Sequence, residues 1–244
     1  MSIIIFLIIL SALVIVHELG HFLVARYFGI RVDEFGIGFP PRAKNLFVWK
    51  GTPFTLNWLP FGGFVKIFGE NQVETQARPV EATGLACGES FQNKNRSIQA
   101  AVLAAGVVFN FLFAWILISL VYHSVFTGFA DTVRFTVETF KALFHFSFKD
   151  VSGPVGIVGI VREATKLGAS SLMMLTALIS VNLSIINLIP VPALDGGRLV
   201  FVAIESITRR KIKPSVFNAF NTIGFALLII LMVAVTIQDM RNIF

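Results

Sequence analysis

The sequence predicts an all-α polytopic membrane protein: four transmembrane helices, with a small membrane-associated β-hairpin region after the first. Two observations carry this. Of the 244 residues, 55% are hydrophobic and only 14% charged, with Phe occurring 26 times. Soluble domains carry nearer ~25% charge, and one core of this length cannot hide so much apolar surface from water. The apolar residues also gather into stretches that reach the ~20 residues a bilayer crossing needs. An ordinary cytosolic enzyme, a disordered chain and a nucleic-acid binder are thereby excluded. The one cysteine, Cys87, excludes an internal disulfide framework and a Cys-only zinc site.

The first span, 1–25, is apolar from Ile3 to Val16 and reaches crossing length only by continuing through His17-Glu18-Leu19-Gly20-His21 to Ala25. It lacks the basic start and the small-x-small site of a cleaved signal peptide. In the segment 26–97, Phe54, Leu56 and Trp58 alternate with Thr55 and Asn57, which is the two-residue period of a strand. Pro60 to Gly63 is a turn cluster, and Phe64 to Phe68 resumes a strand pattern. A β-hairpin that dips toward the membrane or covers polar helix ends is expected, followed by a mobile loop over 71–95. The second span, 98–122, is uncharged.

The segment 123–168 is expected on the outer side. Arg134, Glu138 and Lys141 recur at helical spacing opposite Phe140 and Phe144, the pattern of an amphipathic helix on a membrane surface. Val151 to Val161, with Gly153-Pro154 near its start, is too short to cross and reads as re-entrant or interfacial. The third span, 169–197, must unwind where Pro190 and Pro192 fall. A loop over 198–213 leads to the fourth span, 214–238.

The net charge of +6 comes from bases that set orientation. Arg26, Arg31, Arg42, Lys44, Lys50, Lys66, Arg78, Lys94 and Arg96 lie between the first two spans. Arg198, Arg209, Arg210, Lys211 and Lys213 lie between the last two. The positive-inside rule puts these segments in the cytoplasm and both termini outside. The bases then serve topology beside anionic lipid, with no need of nucleic acid. In that topology the C-terminal ends of spans one and three meet at the same leaflet.

Those ends carry the chemistry. His17-Glu18-Leu19-Gly20-His21 is an H-E-x-x-H pattern, whose two His project from one helix face and can share a Zn²⁺. Glu18 lies beside that face, placed to take a proton from an attacking water. Packing histidines beside a fortuitous Glu are the alternative, but ionisable groups within a span are costly and rare unless they have a function. A catalytic zinc takes three protein ligands. His123 and His145 fall toward the wrong side, while Asp195 falls on the right leaflet, at the end of Asn187-Leu188-Ile189-Pro190-Val191-Pro192-Ala193-Leu194-Asp195-Gly196-Gly197. Its bland reading is a helix-end residue at a Gly-Gly turn; beside the first motif, a ligand is favoured.

An H-E-x-x-H in the first span paired with N-x-x-P-x-P-x-L-D-G-G in a later one resembles the site-2 protease family of intramembrane zinc metalloproteases, in its bacterial sigma-E regulator protease branch. Pro60-Phe61-Gly62-Gly63-Phe64-Val65-Lys66, Ser152-Gly153-Pro154-Val155-Gly156-Ile157 and Ser180-Val181-Asn182-Leu183 add to the likeness. The resemblance implies one zinc held by His17, His21 and Asp195, Glu18 as general base, and Asn182 and Asn187 near bound substrate. It also implies a membrane-associated β region, whose residues Gly63, Phe64, Val65 and Lys66 would contact substrate. Two departures stand out. Val107 replaces the Pro usual before the Asn of the second span, here Asn110. The segment 123–168 is also too short for the branch's PDZ domains, so none is expected.

The implied function is cleavage of transmembrane segments of single-span membrane proteins, such as anti-sigma factors or remnant signal peptides, in a bacterial inner membrane. The active site would face the cytoplasmic leaflet. The implied partners are these substrates and the lipid bilayer, without nucleic acid; the sequence leaves the oligomeric state open. A metal or proton transporter with an intramembrane His/Asp site is the competing class, although no second polar set or repeat pairs the halves. An inactive adaptor is the third, and retention of Glu18 argues against it.

Overall fold

The computed structural model describes residues 1–70, 90–144 and 153–243. Most of the loop expected over 71–95 therefore lies outside the described residues. Helix α1 (Ser2–Tyr27) runs unbroken through the H-E-x-x-H pattern. Its buried residues Ile9, Leu13, His17, Gly20, His21 and Ala25 follow one helical stripe, whereas Ile3, Ile4 and Ile8 are exposed. The metal-type residues thus lie on the face that α1 turns toward the protein.

Two long strands follow, β1 (Val32–Trp49) and β2 (Thr52–Ile67), paired antiparallel. Lys50 and Gly51 join them with φ of 47° and 84°, the pair of positive values that a tight two-residue hairpin demands. Phe35 faces both Val65 and Phe54, and Gly36 faces both Phe64 and Thr55, so the bent strands double back upon each other. The sequence reading differs here: the runs around 54–58 and 64–68 are not partners but parts of β2. Gly62, at φ 76°, lets the chain bend at the Pro60–Gly63 cluster without reversing. Their partner β1 carries too much Gly, Pro and charge to show an alternating pattern.

A short 3-10 turn (Phe91–Asn93) leads into α2 (Arg96–Tyr122). Helix α3 (Val125–Phe144) packs back along α2: the Phe129 ring meets Phe111 and Trp115, and the Trp115 indole N–H donates to the Val125 carbonyl at 3.0 Å. The expected helix is present, with the exposed Arg134–Glu138 pair at 2.9 Å. Its other face covers both α2 and α5 (Ala169–Leu188). The apolar Gly-Pro segment forms helix α4 (Pro154–Lys166), whose Val161 is buried against Ile9 and Leu13 of α1.

Helix α5 ends at Leu188, because Pro190 and Pro192 can neither donate to a helix nor let their predecessors stay helical. Asp195 opens a new helix, α6 (Asp195–Thr208), where a loop was expected over most of its length. Val202 and Leu199 explain the difference: they seat α6 on the core beneath the sheet. Arg96–Glu205 at 2.8 Å and the Arg198–Glu70 pair tie it further. Helix α7 (Pro214–Ile243) closes the chain. Among the described residues, four helices are long and apolar enough to cross a membrane: Ser2–Tyr27, Arg96–Tyr122, Ala169–Leu188 and Ser215–Arg241.

Helix α2 is the hub, touching α1, α3, α5 and α6. Its seam with α5 joins Ala114 and Ile118 to Ala177, Val181 and Ile185. Two hydroxyls fasten that seam: Ser180 donates to the Asn110 carbonyl at 2.8 Å and Ser184 to the Val107 carbonyl at 2.6 Å. A second core joins the C-terminal half of α1, the sheet and the start of α2, with Phe22 at 1% exposure packed edge-on against Phe35 and Phe54.

Phe22 therefore carries the bond between the first helix and the sheet. Phe22→Ala is expected to cost about 3–5 kcal/mol through the cavity it leaves. Thermal unfolding in detergent should show a clearly lowered midpoint, with Phe22→Leu falling between the variant and the parent.

Candidate metal centre

Helix α1 places His17 and His21 one turn apart on its buried stripe, and the Pro-broken end of α5 delivers Asp195 to meet them. The ligand-type atoms of the three residues all lie within 4.8 Å of one another. Nε2 of His17 lies 2.9 Å from Oδ2 of Asp195, Nε2 of His21 lies 3.1 Å from the same oxygen, and the two Nε2 atoms are 3.1 Å apart. Both histidines are buried.

Local sequence explains how three helices can crowd so closely. Gly106 of α2 forms the floor: a Cβ there would lie 2.5 Å from Cε1 of His17 and 2.6 Å from Nε2 of His21. Gly196 and Gly197 let the first turn of α6 press onto the carbonyls of Leu188, at the end of α5, and of Ile189 and Val191 in the unwound stretch after it, space that any side chain would fill. The Gly-Gly after Asp195 is thus a packing requirement of the broken helix.

The chemistry of this triangle fits a divalent cation. Nδ1 of His21 lies 2.7 Å from the Val102 carbonyl oxygen, which can only accept, so this nitrogen carries a proton, and in the neutral ring Nε2 keeps its lone pair. That lone pair faces an aspartate oxygen, and two acceptors at such a distance repel unless a proton or a metal cation lies between them. Tetrahedral zinc, at ~2.0–2.1 Å from each donor, separates its ligands by ~3.3 Å, within a few tenths of an ångström of the spacing here. His17, His21 and Asp195 therefore form a group able to hold zinc.

Glu18 stands beside the triangle. Its Oε2 accepts the backbone N–H of Val65 at 3.0 Å, which brings β2 alongside α1. Two turns earlier on α1, the Ser11 hydroxyl accepts the Gly62 N–H at 3.2 Å. A cavity of about 220 Å³ opens onto the centre, lined by Val14, His17, Glu18, Leu183, Asn187, Ala193, Leu194 and Asp195.

Of the residues expected at substrate, Asn187 lines this cavity and Val65 touches Glu18. Gly63, Phe64 and Lys66 flank Val65 in β2, opposite Ile37, Gly36 and Glu34. Asn182 is not among the lining residues; its side-chain oxygen accepts the Thr139 hydroxyl of α3 at 3.2 Å. Sequence reasoning gave no part to the groups behind the histidines, the Val102 carbonyl and the Asn110 side chain. A backbone carbonyl leaves no trace in sequence, but the G-x-x-x-N spacing of Gly106 and Asn110, one helical turn, was a usable signal.

Comparison with known proteins agrees with this geometry. Residues 5–231 match peptidase family M50. A Clostridium perfringens protein, named as a presumed zinc metalloprotease, is 30% identical over 330 aligned positions covering 98% of each chain. That alignment exceeds the 244 residues of this chain, so the relative carries internal residues with no counterpart here. Zinc metalloprotease RasP of Shouchella clausii is 46% identical over 99 residues, 41% of this chain and 24% of RasP. RasP of Oceanobacillus iheyensis is 45% identical over 40% of this chain and 23% of its own length. Because the match runs from the first helix past the aspartate loop and into the last helix, the chain belongs to peptidase family M50, the site-2 proteases, and is a membrane zinc metalloprotease.

Proposed function

We propose that the protein cleaves transmembrane segments of single-span membrane proteins or remnant signal peptides, with His17, His21 and Asp195 holding the zinc and Glu18 as general base. The observation that carries this is the convergence of the three ligand atoms beside Glu18 at the mouth of a cavity between α1 and α5. When bound, zinc supplies Lewis acidity toward water and the scissile carbonyl. Glu18 accepts the proton of the attacking water and passes it to the leaving amine. Its hydrogen bond to Val65 keeps the carboxylate turned toward the cleft.

A transmembrane substrate is helical, and its carbonyls are tied in i to i−4 bonds that no water can replace within the bilayer. Attack requires a local opening. The β2 stretch Gly63–Lys66 beside Glu18 offers a backbone edge for an extended segment, and Asn187 offers an amide in the cavity. In this reading the entering strand takes over the Val65 N–H and releases the Glu18 carboxylate to the water. The family's substrates and the asymmetry of bases support a bacterial inner membrane location with the centre toward the cytoplasmic leaflet.

Three experiments test these assignments. Purified protein should hold about one zinc per chain. His17→Ala and Asp195→Ala should lose most of it, while Glu18→Gln keeps it and loses ~10²–10⁴-fold in rate. Elemental analysis with a proteoliposome assay on a tagged transmembrane peptide decides; full zinc in Asp195→Ala would sink the ligand set, and metal flux without cleavage would favour a transporter. In the same assay, substrates with Gly or Pro near but not at the scissile bond should be cut faster. Equal rates across that series would leave β2 as a mere cover. For orientation, a cysteine placed in the 70–95 segment of a Cys87-free variant should resist an impermeant thiol reagent outside intact cells. One at the C-terminus should react, and the opposite pattern would invert the protein.

A further inference from the structure

The two histidines reach the centre through the same atom, Nε2, yet they are backed differently. Behind His21 stands the Val102 carbonyl, 2.7 Å from Nδ1, which fixes the ring proton on the far side from the ligand triangle. Behind His17 stands Asn110, with its amide nitrogen 3.2 Å from Nδ1. Asn110 is fully buried, and its amide oxygen meets no hydrogen-bond partner among the described residues.

This orientation has a chemical consequence. An amide N–H₂ only donates, so Nδ1 of His17 accepts and the ring proton sits on Nε2. A protonated Nε2 has no lone pair for a metal. Turning the amide half a turn exchanges its nitrogen and oxygen in nearly the same volume. Oδ1 then accepts a proton from Nδ1, and Nε2 of His17 presents its lone pair as His21 already does. In both orientations the amide makes one bond to the ring. Amide pairing with the ring thus favours neither, and binding of a cation selects the second.

We propose that Asn110 is a positioning residue for the metal: its side-chain oxygen, in the turned orientation, holds the Nδ1–H of His17 and fixes the ligating tautomer. Three features suit it to this task. Gly106, one turn earlier on α2, leaves the His17 ring room against the helix. The Ser180 hydroxyl binds the Asn110 carbonyl at 2.8 Å and pins this turn to α5. The burial of the amide excludes water as a competing partner for Nδ1. The inference rests on the assignment of His17 as a ligand.

The test uses the full-length protein in detergent and the zinc dissociation constant from competition with a chelator. Asn110→Leu keeps the volume without an acceptor and should weaken zinc ~10–100-fold. Asn110→Asp offers an acceptor in either orientation and should bind near the parental value. Zinc binding unchanged in a folded Asn110→Leu, or weakened equally in both variants, would overturn the proposal. A measurement on the unaltered sequence covers the case in which the variants fail to fold. In ¹⁵N-histidine spectra of the zinc-loaded protein, His17 should carry its proton on Nδ1, and an unprotonated Nδ1 would refute the role. Parental zinc binding in His17→Ala would instead mark failure of the ligand assignment itself.

Discussion

The mutual dependence of two imidazoles and a carboxylate is the constraint on which the rest of the molecule hangs. In an apolar bundle none of them is tolerable alone, and at 2.9–3.1 Å their facing atoms require a shared cation or proton. Their approach in turn demands that three helices come closer than ordinary side chains allow. Gly106 removes the obstacle on α2, and Gly196-Gly197 removes it on α6. The serines of α5 hold the seam shut from the other side. Much of the close packing in the middle of this protein serves three atoms.

The sheet belongs to the same design. A site for peptide hydrolysis inside a membrane must admit water and an unwound substrate while its own backbone stays satisfied. Doubling β1 and β2 over one another supplies strand pairing at the C-terminal end of α1. The Phe22 cluster anchors the sheet to that helix, and Val65 joins it to Glu18. Glu18 and the candidate substrate edge are thereby held as one unit. Helix α6 is tied to its surroundings through Arg96–Glu205, to the start of α2, and Arg198–Glu70, to the residues just after β2.

Much of this was legible in the sequence, for identifiable reasons. A helix that crosses lipid must be long and apolar, so composition and length disclosed the spans, and the interruption at Pro190 and Pro192 disclosed the break before Asp195. The H-E-x-x-H spacing declared its shared face because a helix repeats at that interval. The sheet was harder. β1 draws on Gly36, Gly38, Pro40 and Pro41 and shows no alternation, while Gly62 lets a cluster that reads as a reversal serve as a bend. Helix α6 was missed because a Gly-Gly pair predicts a turn until its packing against bare carbonyls is seen. Nor could the sequence show that α3 folds back to meet Asn182 through Thr139. Such contacts between distant segments have no local signature.

The central claim is that Asp195, carried by the broken helix, completes a metal site begun by His17 and His21. Zinc X-ray absorption on the protein and on Asp195→Cys tests it most directly. The parent should show only nitrogen and oxygen neighbours at ~2.0–2.2 Å, and the variant should gain one sulfur at ~2.3 Å. An unchanged nitrogen and oxygen shell in a zinc-loaded Asp195→Cys protein would contradict the account.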